Sequence, residues 1–196
     1  MITNLKLIAI SGPEGSGKSL LSRYLTTHHN YTRLPFSESL KWMVYNLLRD
    51  QGASHELATK LLNDPEYKEQ PTQYFMNRSP RHVMQTLGTE WGRNYIHDNF
   101  WVNIWLNKLR TLHLSKVVVD DLRFVNEAQM IKSLNGFIIC LSRPEPNTIT
   151  ATTTNIIDTH VSECEYKYLD YDLFLVNDST PEQLLRRVQE TLGDRI

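Results

Sequence analysis

The sequence has only two cysteines, Cys140 and Cys164, and their spacing matches no metal-binding pattern. That argues against a disulfide framework and fits a reducing cytoplasm. Neither sign of charge is in excess: 21 Lys and Arg face 22 Asp and Glu, a formal net charge of −1. General polyanion binding is therefore not expected and no nucleic-acid partner is read, although a local basic site remains compatible. Long hydrophobic runs are also missing. The longest, such as residues 7–10 and 137–141, fall far short of the ~20 residues that span a bilayer. The first residues lack the charged region, apolar core and small-residue cleavage site of a secretory signal, so neither export nor a membrane is expected. Eight Gly, eight Pro and 10% aromatics argue against low complexity and disorder. What is left is an ordinary globular chain, long enough to remove about 70% of its unfolded surface from water.

The apolar pattern alternates between two periods. Residues 5–11, LKLIAIS, read as a buried strand, and a loop follows. Leu20, Leu21, Tyr24 and Leu25 place a helix over 19–29, and a short strand is expected within 31–35. Ser37 suits the N-cap of a helix reaching about residue 50, with Gly52 ending it. A further helix over 54–62 precedes a polar surface segment, 63–79. Pro80 suits the first turn of a helix carrying Val83, Met84 and Leu87. Residues 100–112 repeat the helical pattern. KVVVD at 116–120 is a strand, 126–134 a helix closed by Gly136, and 137–142 a strand. Residues 143–159 hold two prolines and six threonines and read as a mobile surface loop. A strand over 173–176 and a helix over 180–192, with Thr180 as cap and Pro181 after it, complete the chain. The order predicts an α/β fold: one domain, 1–196, with a parallel sheet of about five strands and helices on both faces.

Residues 12–19, GPEGSGKS, satisfy G-x-x-x-x-G-K-[ST] between a buried strand and a helix. Glycines such as Gly15 and Gly17 let several N–H groups point at one anion, and the helix N-terminus adds partial positive charge. Lys18 supplies a point charge for the β- and γ-phosphates, and the Ser19 hydroxyl suits Mg²⁺. The pattern says nucleoside triphosphate without saying which reaction.

A second constellation is KVVVDD at 116–121. A carboxylate at the carboxyl end of a buried strand suits Mg²⁺ or its water shell. Asp120 and Asp121 alternate across the strand, which leaves open which of them serves the metal, and a solvated pair of charges is the plain alternative. Arg123 follows at once. Asn126 and Glu127 open the next helix, as a cap and a first-turn acid on the plainest reading. On the helix after Pro80, Arg81, Gln85 and Gly88 fall on one side at i, i+4 and i+7. That face suits an anion with a hydrogen-bonding base, or else simply faces solvent. Gly88 and Gly92 inside a helical pattern cost about 1 kcal/mol each relative to Ala, so they need a local reason. Trp101 suits either stacking on a base or core packing.

These residues resemble the bacteriophage deoxynucleoside monophosphate kinases. The likeness rests on the phosphate loop, on residues 81–93 (R-x-x-x-Q-x-x-G-T-E-W-G-R), on Trp101, on 121–127 (D-L-R-F-V-N-E), on 160–163 (H-V-S-E) and on 177–180 (N-D-S-T). It implies a P-loop nucleoside-monophosphate-kinase fold, with a helical substrate-binding insertion at about 37–112 and a short lid at about 143–160. It implies phosphoryl transfer from ATP, with Mg²⁺, to a deoxynucleoside 5′-monophosphate, in phage nucleotide metabolism and so in the host-cell cytoplasm. Carried over, the deoxynucleotide site comprises Arg81, His82, Gln85, Gly88, Thr89, Trp101 and Asp121. The ATP site comprises Gly15, Gly17, Lys18 and Ser19. Ser19 and Asp120 would serve the metal, while Lys18, Asp121, Arg123 and Arg143 would act on the transferred group. His82 stands where the family has a lysine. His160 and Glu163 suit a lid hinge or a helix start equally. A monomer and a homodimer are equally compatible. Two other readings stay open: another small-molecule P-loop kinase, of the dephospho-coenzyme A kinase type, and a nucleotide-binding regulator without chemistry.

Overall fold

Five strands form a single parallel sheet in the order β2-β3-β1-β4-β5. They are β1 (Lys6–Ser11), β2 (Thr32–Arg33), β3 (Lys116–Val119), β4 (Phe137–Ser142) and β5 (Leu173–Val176). The computed structural model describes residues 5–143 and 168–193. Most of the expected lid, with His160, Glu163 and Cys164, lies outside the described residues. The chain divides into two compact units, residues 1–35 with 108–196, and residues 36–107.

In the first unit the central strands β1, β3 and β4 are buried on both sides, as near-continuous apolar runs require. Ile8, Ile10, Val118, Ile139 and Leu141 form one core with Leu21 and Leu25 of α1 (Lys18–His28) and Leu184 and Val188 of α8 (Pro181–Leu192). The alternate residues Leu7, Ala9, Val117, Val119 and Ile138 are buried too, as is Ile131 of α7 (Val125–Ser133). β1 pairs with β3 up to Ala9↔Val119 and with β4 up to Ser11↔Cys140. The three strands therefore release their chains at one edge, with β1 at the point where strand order reverses. Open α/β sheets bind ligands at such an edge. Thr180 caps α8, its side chain accepting from Gln183 N at 3.4 Å, and Pro181 opens the first turn.

Two expectations are corrected here. β3 stops at Val119, so Asp120 begins the following turn. α7 is not closed by Gly136: Asn135 takes the left-handed conformation at φ 56. Gly136 is required by packing instead, because a Cβ there would lie 2.6 Å from Ile131 Cγ2 and 2.8 Å from Ile131 O.

The second unit is helical: α2 (Glu38–Asp50), α3 (His55–Asn63), α4 (Pro65–Glu69), α5 (Pro80–Thr86) and the start of α6 (Phe100–Thr111). Val44, Leu48, Ala53, Ala58, Leu61 and Leu62 make its core. Ser37 stands at the N-cap of α2, although its side chain makes no cap hydrogen bond. Gly52, at φ 89, turns the chain after that helix. The polar segment 63–79 has more structure than its composition suggests. Asp64 caps α4 by accepting from Glu66 N at 2.9 Å, and Gln73–Phe75 forms a 3₁₀ turn inside a Thr72–Arg78 bridge. Short capped turns like these satisfy backbone groups without an apolar stripe.

α5 does not continue as an ordinary helix. Leu87–Ile96 is a π-helix, so the 3.6-residue register that aligned Gly88 with Arg81 and Gln85 is lost after Thr86. The glycines are explained by packing. A Cβ on Gly92 would sit 2.3 Å from Trp101 Nε1, and one on Gly88 would meet Leu40 Cδ1 at 3.0 Å. Trp101 itself is 3% exposed and donates from Nε1 to Gly88 O at 2.8 Å. Its ring also packs against Phe100 and Trp91, with centroids 4.8 and 6.2 Å away. Of the two readings open for Trp101, stacking on a base or core packing, its burial and ring contacts favour packing.

Gly92→Ala should lower the free energy of unfolding by about 1–3 kcal/mol, the usual cost of overpacking a core. In an uncrowded helix the same change stabilises by about 1 kcal/mol. Urea denaturation followed by circular dichroism decides the sign.

Candidate functional site

The phosphate loop is shaped by its glycines. Gly12, Gly15 and Gly17 hold φ values of 136, 78 and 106, which residues with a Cβ rarely adopt. At Gly12 a Cβ would also lie 2.0 Å from Leu141 O, so this is where β1 leaves the sheet tightly against β4. Gly17 is the N-cap of α1. Ser19, on the first turn of that helix, is exposed. The Lys18 ammonium folds back into the loop and donates to Gly12 O at 2.7 Å and Pro13 O at 2.6 Å. Backbone N–H groups, a helix N-terminus and an ammonium so arranged suit a polyphosphate.

Sequence reasoning did not anticipate how this loop is braced. Asn177, 8% exposed, donates from Nδ2 to Ser16 O at 3.0 Å. The same nitrogen lies 2.9 Å from where a Gly17 Cβ would stand. Asn177 was legible only as the first letter of N-D-S-T. Its neighbour Asp178 pairs with Arg187 Nη1 at 2.7 Å, and that hydrogen bond holds its carboxyl below the usual carboxylate range.

Along the same edge, Asp120 is 7% exposed and accepts from Arg33 Nε at 2.7 Å through Oδ2. Its Oδ1 is buried with no hydrogen-bond partner. A buried carboxylate oxygen without a donor is costly unless a cation or water serves it. Asp121 and Arg123 stand half-buried in the turn that follows. Glu127, buried, accepts from Arg123 N at 3.0 Å and Phe124 N at 3.2 Å, which fixes the start of α7. Phe124, not Asn126, occupies the cap position. Arg143 is exposed immediately after β4. Cys140, within β4, has its thiol pushed up by burial, against opposing pulls from the Tyr171 hydroxyl and the Lys18 charge.

In the helical unit, Arg81 and Gln85 are half-buried on α5 and His82 is exposed. Arg81 Nε pairs with Glu69 Oε1 of α4, an acidic partner the sequence pattern did not suggest. Thr89 is 9% exposed in the π-helical stretch, one residue past the carbonyl that Trp101 holds. Arg93, also buried, donates to Asp98 O at 3.3 Å. Arg81, His82, Gln85, Gly88 and Thr89 thus follow one another along a single helical run, Trp101 stands at the start of α6, and Asp121 lies in the turn after β3.

A family model described as deoxynucleotide monophosphate kinase matches residues 59–188, more than half of the chain. A protein of Acanthamoeba polyphaga mimivirus, provisionally named a deoxynucleotide monophosphate kinase, is 30% identical, with 93% of each chain covered. The deoxynucleotide monophosphate kinase of Enterobacteria phage T4 is 28% identical over 58% of this chain and 45% of its own. The deoxynucleoside-5′-monophosphate kinase of Escherichia phage T5 is 32% identical over 32% of this chain and 25% of its own. Among the described residues no helix is long and apolar enough to cross a membrane. A parallel five-stranded sheet that ends in a glycine-wrapped loop, together with a family match over more than half of its length, makes this chain a member of the deoxynucleotide monophosphate kinase family.

Proposed function

We propose that the protein transfers the terminal phosphoryl group of ATP to the 5′-phosphate of a deoxynucleoside monophosphate, giving the diphosphate. The observation that carries this reading is the glycine-shaped loop with Lys18 at its centre, in a chain of this family. Lys18, the loop N–H groups and the start of α1 bind the triphosphate. Ser19 and Asp120 are the residues that would hold Mg²⁺; the unpartnered, buried Asp120 Oδ1 supports the fit. When bound, the ion neutralises charge on the phosphates.

The acceptor needs no general base. Its second pKa is about 6, so it is mostly a dianion at pH 7. The difficulty is bringing two anions together, and this chain meets it with cations. Arg81 grips the acceptor phosphate, with Glu69 keeping the guanidinium oriented until the phosphate arrives. Gln85 and Thr89 address the base and sugar, with Gly88 giving close backbone approach and His82 beside Arg81. Trp101 acts from beneath by fixing the Gly88 carbonyl. Arg123 and Arg143 offset charge on the group in flight, and Asp121 orients the acceptor beside Arg123. The helical insertion at 37–112 supplies the acceptor residues.

Incubating the chain with labelled ATP, Mg²⁺ and each deoxynucleoside monophosphate in turn should release ADP only when an acceptor is present. Acceptor-independent binding without turnover would instead point to a regulator. Lys18→Ala should lower kcat at least ~10²-fold, about 3 kcal/mol of transition-state stabilisation. Arg81→Ala should raise the KM for the deoxynucleotide about 10-fold or more and leave the KM for ATP within about twofold, since it removes one charge-assisted pair. Steady-state kinetics with each substrate varied separately checks both.

A further inference from the structure

Two hydroxyls join three loops at the carboxyl edge of the sheet. Tyr171, shortly before β5, donates from its phenol to Ser11 Oγ at 3.1 Å. Ser11 donates onward to Leu122 O at 2.8 Å. A serine hydroxyl has one proton and accepts through its lone pairs, so the direction of this chain is set by its carbonyl end. Ser11 is fully buried and directly precedes Gly12 of the phosphate loop. Leu122 lies between Asp121 and Arg123.

The place of this chain matters because the backbone ladder has already ended. β1 and β3 are paired only as far as Ala9↔Val119. Beyond that pair, the Ser11 side chain ties the strand carrying the phosphate loop to the turn carrying Arg123. Tyr171 anchors that serine from the side of β4 and β5, and its ring is held against Phe174 at 5.0 Å between centroids. Neither side chain is needed to complete an apolar core, and both hydrogen bonds point into the edge where the proposed chemistry lies.

We infer that Ser11 and Tyr171 are positioning residues, which lock the phosphate loop to the 121–123 turn so that Lys18 and Arg123 bear on the same phosphoryl group. The inference rests on the phosphotransfer reading above. Its signature is a loss of kcat without a loss of nucleotide binding, because each cation would still be present but less well aimed.

Tyr171→Phe keeps the ring and removes only the hydroxyl. It should lower kcat about 10-fold, with the KM for ATP and for the deoxynucleotide within about twofold of wild type, as expected for one misdirected hydrogen bond. Ser11→Ala should lower kcat at least as much. The double variant should be no worse than Ser11→Ala, because Tyr171 acts through Ser11. Cys140→Ala removes the thiol beside Tyr171 and should leave kcat within about twofold, which separates the serine route from the cysteine contact. An active wild type with unchanged kcat in Tyr171→Phe overturns the inference, as do multiplicative losses in the double variant or a rise in KM alone. A wild type that phosphorylates no deoxynucleotide overturns the functional reading itself, before any variant is compared.

Discussion

Parallel pairing of β1 with both β3 and β4 is the constraint from which the candidate donor site follows. Parallel strands deliver their chains to one edge, and each must there find partners for backbone groups the ladder no longer serves. β1 meets this by turning through Gly12 against Leu141 and running through the phosphate loop into α1. β3 turns through Asp120 and Leu122 and enters α7 under the Glu127 carboxylate. Lys18, Asp120, Asp121, Arg123 and Arg143 are neighbours along the edge because their strands are, although 125 positions separate Lys18 from Arg143 in sequence.

The polar atoms of that edge divide into those already served and those left open. Ser11, Asn177 and one Asp120 oxygen have protein partners: Leu122, Ser16 and Arg33. Ser16 Oγ and the other Asp120 oxygen are buried without one. Served groups rigidify, whereas a buried polar oxygen without a partner is costly until a donor or cation reaches it. A scaffold that satisfies the outer shell and leaves the inner one incomplete is preorganised to bind, since the ordering cost is met in folding.

Much of this was legible in order and little of it in contact. The strands, the cap at Thr180, the proline starts and the phosphate loop are short-range features, and each residue pattern has a local physical meaning. The two helical glycines carried a real signal, an energetic cost without a visible return; at Gly92 the return is a tryptophan ring, and at Gly88 it is the close approach of Leu40. The π-helical stretch was illegible because a helix period is read from averaged spacing, and one widened turn changes the face without changing the composition. Glu69, Arg33, Asn177 and Tyr171 escaped for the same reason: each matters through one partner distant in sequence.

The amino-acid order alone determined that this chain is an α/β protein built to hold a polyphosphate. Those properties depend on a hydrophobic period and on a glycine-rich octet whose conformational needs are intrinsic. Tertiary structure decided which carboxylate is buried with an open oxygen, which tryptophan is spent on packing, and which side chains brace the loop. Such choices belong to pairs of residues brought together by strand order, and no stretch of sequence contains both members of the pair.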